Sequence, residues 1–194
     1  MSRTVNERRP EELRDAIVHY LLKHGLSDLS LRPLAKAVGS SPRVLLYYFG
    51  SKEKMVAKVL SEIRQLQRAR YGQLPAASFS EACHTIWTDM SAPDSEPLFR
   101  LFFEAYGMAL RRPQANKAFL RSTIEDWLRF IADPLCRGGC ERKQARAFAT
   151  VVLAGLRGFM LDHCSTHDRK RLDRAVALWL QTLDSMLPDG KEPR

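Results

Sequence analysis

Leu29–Glu53 reads LSLRPLAKAVGSSPRVLLYYFGSKE, and this segment predicts a short helix, a tight turn and a second short helix. Ser30 stands at the expected N-cap of the first helix. Gly39 ends that helix, because glycine readily adopts the left-handed conformation found just past helix C-termini. Ser41 and Pro42 then supply a capping oxygen and a preset φ angle for the second helix. This is the helix-turn-helix arrangement, which places its second helix in the major groove of DNA.

The segment Gly39–Glu53 resembles the recognition-helix signature of the TetR family of bacterial transcription regulators. The positions that match the signature directly are Tyr47, Phe49, Lys52 and Glu53. Tyr48 stands where the family most often has His. Leu46 departs from the pattern, because this position usually carries a Tyr that contacts phosphate. We expect Leu46 to pack in the core with Leu45 and Phe49, and exposure to the DNA groove is the alternative.

The helical pattern and the resemblance together predict an all-α chain of about nine helices. Residues 1–55 are expected to form a DNA-binding head of three helices that contains the helix-turn-helix. Residues 56–194 are expected to form a helical body for effector binding and dimerisation. The match to the family signature covers residues 10–58. The resemblance of the body to the family rests on length and helical pattern alone.

Positive charge is concentrated near the N-terminus of a chain whose net charge is +9. Residues 1–58 carry 11 Lys or Arg against 6 Asp or Glu, and the remainder carries 20 against 16. A basic head on a nearly balanced body is typical of a nucleic-acid-binding protein. A basic surface that serves only solubility is the alternative. Arg3, Arg8 and Arg9 form a basic arm, for which we expect either disorder in the free protein or added contacts to DNA.

The expected DNA contacts come from both helices of the motif and from the start of the next helix. They are Ser30, Arg32, Ser41, Arg43, Val44, Tyr47, Tyr48 and Lys52. Arg32 and Arg43 can each donate two hydrogen bonds to guanine O6 and N7. Val44 can contact a thymine methyl group, and Tyr47 either a base or the backbone. We assign phosphate contacts to Ser41, Tyr48 and Lys52.

Aromatic residues are dense in three predicted helices, which span about 79–91, 94–111 and 114–135. A packed core is the simpler interpretation of this density. The same composition also suits a cavity for an apolar or flat small molecule, and the resemblance implies an effector site among these helices. The candidate ligand-binding residues are His84, Trp87, Phe99, Phe103, Glu104, Tyr106 and Trp127. For the polar residues His84 and Glu104, exposure to solvent is the alternative.

Two apolar helices are predicted at the C-terminal end, over residues 142–164 and 168–187. Small residues along the first of them allow another helix to approach closely. The resemblance implies that both helices pair with their copies in a second subunit as a four-helix bundle. From the residues alone, burial within one subunit is equally open. One short reading helix contacts few bases, so we expect a homodimer on a palindromic operator.

Cys136 and Cys140 form a C-x₃-C pair, and Cys164 lies between His163 and His167. These residues could form a metal site, a redox-sensitive thiol site or neither. The spacing is not the usual C-x₂-C of zinc sites, and the cytoplasm keeps thiols reduced. We therefore expect no metal and no cofactor, with the role of these cysteines open.

The chain shows no signal peptide and no run of about 20 apolar residues that would span a membrane, so we expect a cytoplasmic protein with no membrane partner. The common nucleotide-binding and hydrolase motifs are missing, and no catalytic residue is expected. The sequence thus predicts a repressor that binds double-stranded DNA and is released by a small apolar or aromatic effector. The alternatives are a regulator whose body binds only protein partners, and an enzyme that uses the aromatic cavity.

Overall fold

The computed structural model describes residues 10–74 and 78–186, and these ranges contain helices joined by turns, with no β-strand. The nine helices within them are α1 (Pro10–His24), α2 (Leu31–Ala37), α3 (Pro42–Phe49), α4 (Lys52–Tyr71), α5 (Phe79–Met90), α6 (Glu96–Leu110), α7 (Lys117–Arg137), α8 (Arg142–Thr166) and α9 (Arg169–Met186). The predicted all-α class is therefore confirmed. The basic arm with Arg3, Arg8 and Arg9 lies outside the described residues.

A serine precedes each of the helices α2, α3 and α4. The hydroxyl oxygen of Ser41 accepts a hydrogen bond from the backbone N–H of Val44 at 3.2 Å, and that of Ser51 accepts one from Lys54 at 3.2 Å. These bonds satisfy N–H groups that have no partner inside the helix. Ser30 holds the same position before α2, but its side chain makes no capping bond. Its hydroxyl is left exposed on the surface of the head.

Glycine makes the sharp turn between α2 and α3. Gly39 has a φ of 66°, a left-handed conformation that side chains with a Cβ resist. The backbone N–H of Ser40 donates to the carbonyl of Ala35 at 2.8 Å, so the helix end is closed as in a Schellman motif. Gly50, which ends α3, also has a positive φ of 77°. The predicted helix-turn-helix geometry therefore follows from local sequence.

The core of the head draws on a helix of the body. Buried residues of α1 to α4 include Ile17, Leu34, Leu45 and Val59, and Leu101 of α6 packs among them. The predicted boundary between residues 55 and 56 falls inside α4, which continues without a break to Tyr71. Two helices, α4 and α6, thus connect the head to the body.

The body is packed around Trp87, which is 1% exposed. Residues of α5, α8 and α9 surround this side chain, and they include Met160, Leu172 and Val176. A smaller cluster joins α7 to α8 through residues such as Leu128 and Ala149. The two C-terminal helices are therefore partly buried within one subunit.

Gly155 lets α8 and α9 approach closely. A Cβ built at this position would lie 2.5 Å from Cζ2 of Trp179, closer than real Cβ contacts allow. The prediction that small residues on this helix admit a neighbouring helix holds at Gly155. By contrast, a Cβ at Gly158 would meet nothing within 4 Å, because this residue faces away from the body of its own subunit.

By length and composition alone, α8 (Arg142–Thr166) is apolar enough to cross a membrane, with a mean hydropathy of 1.2 over 18 residues. The sequence did not predict such a helix. The core helix of a soluble protein meets the same criteria, and α8 buries side chains such as Phe148, Val152 and Met160 against its neighbours. This feature is therefore weak evidence for a membrane span.

Candidate DNA-binding surface and effector cavity

The helix α3 has one buried side and one exposed side. Leu45 is 1% exposed and fixes α3 to the core of the head, whereas Tyr47 is 83% exposed. Arg43 lies one helical turn before Tyr47 and is also exposed. Arg32 is exposed at the start of α2. These side chains form the outer surface of the motif, where a DNA groove can reach them.

Leu46 is on this outer surface and not in the core. Its side chain is 41% exposed, while Phe49 is half-buried. The expectation that Leu46 packs in the core is therefore wrong, because Leu45 already takes the inward position on this short helix. An aliphatic side chain in this position can contact the methyl groups or sugars of a groove, but it cannot donate a hydrogen bond to phosphate.

The rings of the two tyrosines of α3 contact each other edge to face. Their ring centroids lie 5.4 Å apart with an interplanar angle of 76°. Tyr48 is 45% exposed and, together with Phe49, Lys58 and Glu62, lines a small hollow between α1, α3 and α4. Tyr48 therefore sits nearer the flank of the motif than Tyr47. Its predicted phosphate contact stays a prediction.

Lys52 is tied to the protein's own backbone. Its Nζ donates a hydrogen bond to the carbonyl oxygen of Leu29 at 3.1 Å, which joins the start of α4 to the residues before α2. The side chain is half-buried. A phosphate contact from Lys52 has to use the remaining N–H groups of the ammonium. Of the other predicted contact residues, Ser41 caps α3 with its hydroxyl and Val44 is half-buried.

An apolar cavity of about 490 Å³ lies between helices α4 to α8. Its aromatic lining residues are Tyr71, Phe79, Phe99, Phe102, Phe103, Trp127 and Phe130. Phe99, Phe103 and Trp127 are among the predicted ligand-binding residues. The volume lies within the range of small-molecule sites. The aromatic density therefore leaves an internal space as well as a core.

Two predicted ligand-binding residues of α5 lie away from this cavity. Trp87 fills the core on the other side of α5, and its indole N–H donates to a carboxylate oxygen of Asp173 at 2.7 Å. His84 is exposed on the surface of α5. The expectation that these residues line the cavity is wrong, because the cavity meets α5 at Phe79, Cys83 and Ile86 instead.

Two predicted residues of α6 are also positioned elsewhere. The Glu104 carboxylate accepts a hydrogen bond from the backbone N–H of Leu26 at 2.6 Å, so it faces the head. The ring of Tyr106 lies 5.8 Å from the guanidinium carbon of Arg157. Neither Glu104 nor Tyr106 lines the cavity, which meets α6 at Leu98 and along the aromatic face that carries Phe102.

Sequence reasoning missed two arginines on the cavity wall, the buried Arg64 and the half-buried Arg157. Arg64 is 4% exposed, and burial lowers the pKa of its guanidinium. Burial also lowers the pKa of Arg157, whose Nη2 donates to the carbonyl of Thr123. A signal was available for Arg64, since it lies four residues after Leu60 on the apolar side of α4. Such a position is normally hydrophobic.

The four cysteines are free thiols, and no group of three metal-ligating side chains occurs in residues 10–74 and 78–186. Cys136 and Cys140 flank the end of α7, where the N–H of Cys140 donates to the carbonyl of Leu135 at 3.0 Å. Cys83 is buried, which raises the pKa of its thiol to about 12. A thiol with this pKa is a weak nucleophile at neutral pH.

Residues 13–59 match the family model of bacterial regulatory proteins, tetR family. The match runs from within α1 to the middle of α4, so it contains the whole helix-turn-helix. No curated protein is similar enough in sequence to count as a match.

Solved structures share the fold of nearly the whole chain. A transcriptional regulator from Rhodococcus sp. Rha1 has a TM-score of 0.75 at 18% identity, over 92% of this chain and 97% of its own. Salmonella enterica GusR has a TM-score of 0.74 at 16% identity, over 93% of this chain and 98% of its own. A TetR variant from Acinetobacter baumannii AYE was solved in complex with minocycline. It has a TM-score of 0.64 at 16% identity, over 92% of this chain and 96% of its own. At these identities the likeness concerns the fold alone.

Proposed function

We propose that this chain, whose residues 13–59 match the family model of bacterial regulatory proteins, tetR family, is a cytoplasmic repressor that a small molecule releases from DNA. The proposal has three parts. The exposed side of α3 reads DNA bases, two chains join to read a palindromic operator, and an effector in the cavity changes the spacing of the two heads. A repressor of this kind has no catalytic step.

The exposure of α3 is the observation that carries the DNA-binding part. Arg43 and Tyr47 extend from a helix that Leu45 anchors, so their positions are set by the core of the head. A guanidinium at this place can read guanine with two hydrogen bonds. Arg32 extends the same surface from α2. Ser30, Ser41, Tyr48 and Lys52 flank these residues and are the proposed phosphate contacts.

An apolar stripe on the outer side of α8 and α9 supports the dimer. Five exposed apolar or small residues of α8 follow one another at intervals of three and four, which places them on one side of the helix. They are Ala147, Val151, Ala154, Gly158 and Leu161. Leu178 of α9 is 66% exposed. We propose that helices α8 and α9 of two chains cover these residues in a four-helix bundle.

Release of DNA is proposed to follow from the two helices that the head and the cavity share. Leu60 of α4 belongs to the core of the head and also lines the cavity. On α6, Leu101 packs in the head while Phe99 and Phe103 line the cavity. An effector that favours a different position of α4 or α6 shifts the population toward a different head spacing. Binding to successive major grooves requires the two reading helices to lie about 34–36 Å apart.

Selection of bound duplexes from a random pool at physiological salt tests this function. We expect enrichment of two inverted half-sites whose centres lie about one helical turn apart, or a multiple of it. The Arg43→Ala variant, selected in parallel, serves as the matched comparison for the reading surface. Recovery of unrelated sequences after repeated rounds would contradict the proposal, because a non-specific basic surface gives that result.

A further inference from the structure

We infer that the cavity takes an organic anion, a molecule with an apolar or flat body and one acidic group that pairs with Arg64 and Arg157. This inference rests on the proposed effector-binding function and names the chemical class of the effector. The body of the ligand would lie among the aromatic residues of α5, α6 and α7. Its acidic group would lie at the wall formed by α4 and α8.

The hydrogen bonding of Arg64 is the first observation. Its Nη2 donates to the hydroxyl of Ser122 at 3.2 Å, while its Nε and Nη1 have no hydrogen-bond partner. A guanidinium stays protonated in proteins and offers five N–H donors. Leaving buried donors of a charged group unpaired costs free energy, because these donors lose their hydrogen bonds to water. A carboxylate or sulfonate that accepts from Arg64 would remove this cost.

A second positive charge stands on the same wall. Arg157 lines the cavity, and its guanidinium carbon lies 5.4 Å from the ring centroid of Phe102 and 5.8 Å from that of Tyr106. These rings fix its position. The guanidinium carbon of Arg64 likewise lies 5.8 Å from the ring centroid of Phe119. Burial is the main cause that lowers the pKa of Arg64, and repulsion from Arg68 and Arg157 adds to it. Two held cations in an apolar space form a site for an anion.

Asp126 is the acidic side chain whose charge acts on Arg64, and it opposes the lowering of the Arg64 pKa by burial without forming an ion pair with it. Asp126 contacts two other arginines, at 3.4 Å from Arg68 and 2.9 Å from Arg129. Asp133 is the acidic residue among those that line the cavity, and it is exposed. Arg137, at the same end of α7, is also exposed. Within the described residues, the cavity therefore has more positive than negative charge.

The test uses two fluorescent probes of nearly the same shape. One is 8-anilinonaphthalene-1-sulfonate, which is an anion, and the other is N-phenyl-1-naphthylamine, which lacks the sulfonate and is neutral. Both are titrated into the full chain and into Arg64→Met, which keeps an unbranched apolar side chain and removes the guanidinium with its charge. Arg100→Met, an exposed residue of α6 paired with Glu96, is the matched control. Thermal unfolding and far-UV circular dichroism establish that each variant is folded.

We expect the wild type to bind the anionic probe at least about tenfold more tightly than the neutral one, as charge-assisted hydrogen bonds would give. The Arg64→Met variant should bind the anionic probe at least about tenfold more weakly and bind the neutral probe with unchanged affinity. The Arg100→Met variant should bind both probes as the wild type does. 1-Naphthoate should displace the bound sulfonate probe at a concentration at least about tenfold lower than 1-naphthamide does. Equal affinity for both probes in the wild type, or an unchanged affinity for the anion in Arg64→Met, would overturn the inference. If Arg64→Met fails to fold, Arg157→Met is titrated with the same expected losses.

The effect on DNA separates this inference from the proposed function. If anions bind at Arg64 and operator binding does not respond, the anion site stands and the effector-release function fails. If only neutral aromatic compounds release the operator, the function stands and the anion inference fails.

Discussion

The carboxylate of Glu104, in the middle of α6, accepts a hydrogen bond from the backbone N–H of Leu26 at 2.6 Å. Leu26 belongs to the turn between α1 and α2, so this bond joins the body to the head. The preceding Gly25 has a φ of 67°, and a Cβ there would lie 3.0 Å from Oε2 of Glu104. On the same helix, Phe99 and Phe103 line the cavity. One helix therefore contacts both the effector space and the head.

Glu104→Ala should weaken the coupling between effector and DNA more than it weakens either binding event. Coupling free energies are typically about 1–3 kcal/mol, and we expect most of this coupling to be lost. The measurement is operator affinity with and without saturating 8-anilinonaphthalene-1-sulfonate. Glu104→Gln keeps an acceptor oxygen and serves as the control. A full effector response in Glu104→Ala would show that α4 alone carries the signal.

Arg43→Ala should relax base preference at one position of each half-site. A bidentate arginine–guanine pair contributes about 1–3 kcal/mol of discrimination, because the wrong base cannot accept both hydrogen bonds. Competition among single-base operator variants measures this discrimination. A uniform loss over all sequences would instead mean that Arg43 contacts phosphate.

Lys52→Ala should weaken binding to all sequences alike and reduce the salt slope by about one, because it removes one phosphate contact. It should also lower the free energy of unfolding by about 1 kcal/mol, because the bond from Nζ to the carbonyl of Leu29 is lost. Affinity at several salt concentrations and urea unfolding check the two effects. An unchanged salt slope with reduced stability would assign Lys52 a structural role only.

Gly155→Ala should destabilise the protein although alanine favours helices. The new Cβ would lie 2.5 Å from Cζ2 of Trp179, and overpacking of this kind costs about 1–3 kcal/mol. Gly107→Ala is the matched control on α6, since its Cβ meets nothing within 4 Å. The free energy of unfolding of that control should rise by up to about 1 kcal/mol, because alanine has a higher helix propensity than glycine. Urea unfolding of both variants measures the difference, and equal stabilities would contradict the close packing of α8 on α9.

Stability should fall as the pH rises above about 9, in part because of Cys83. Burial raises the pKa of this thiol from 9.0 to about 12. Between these values the unfolded chain loses the proton and the folded chain keeps it, so unfolding becomes more favourable. Between pH 8 and pH 10 this group should lower the free energy of unfolding by about 1 kcal/mol. Cys83→Ala should remove that part of the slope in urea unfolding at the two pH values, and an unchanged slope would contradict it.

The helix-turn-helix could be predicted from sequence because its signals are local. Ser41, Gly39 and Gly50 act within a few residues of their own positions. Leu46 was misjudged because a helix of eight residues has room for few inward positions, and Leu45 takes the central one.

The cavity could be predicted only in part, because its walls come from five helices. The aromatic density pointed to the right region, and Phe99, Phe103 and Trp127 line the space. The direction of a side chain depends on neighbours far away in sequence. Trp87 therefore faces Asp173, and Glu104 faces Leu26. Arg64 and Arg157 were missed since charged residues are almost always exposed unless they are paired.

The stoichiometry of the DNA complex tests the central claim most directly. Sedimentation of the protein with its selected operator should give two chains per full-site duplex, and Leu178→Glu should remain monomeric and lose specific binding. Leu110→Glu, a similarly exposed leucine on α6, should behave as the wild type. One chain per duplex, or equal affinity for the operator and a scrambled duplex at the same salt concentration, would contradict a dimer that reads DNA through α3.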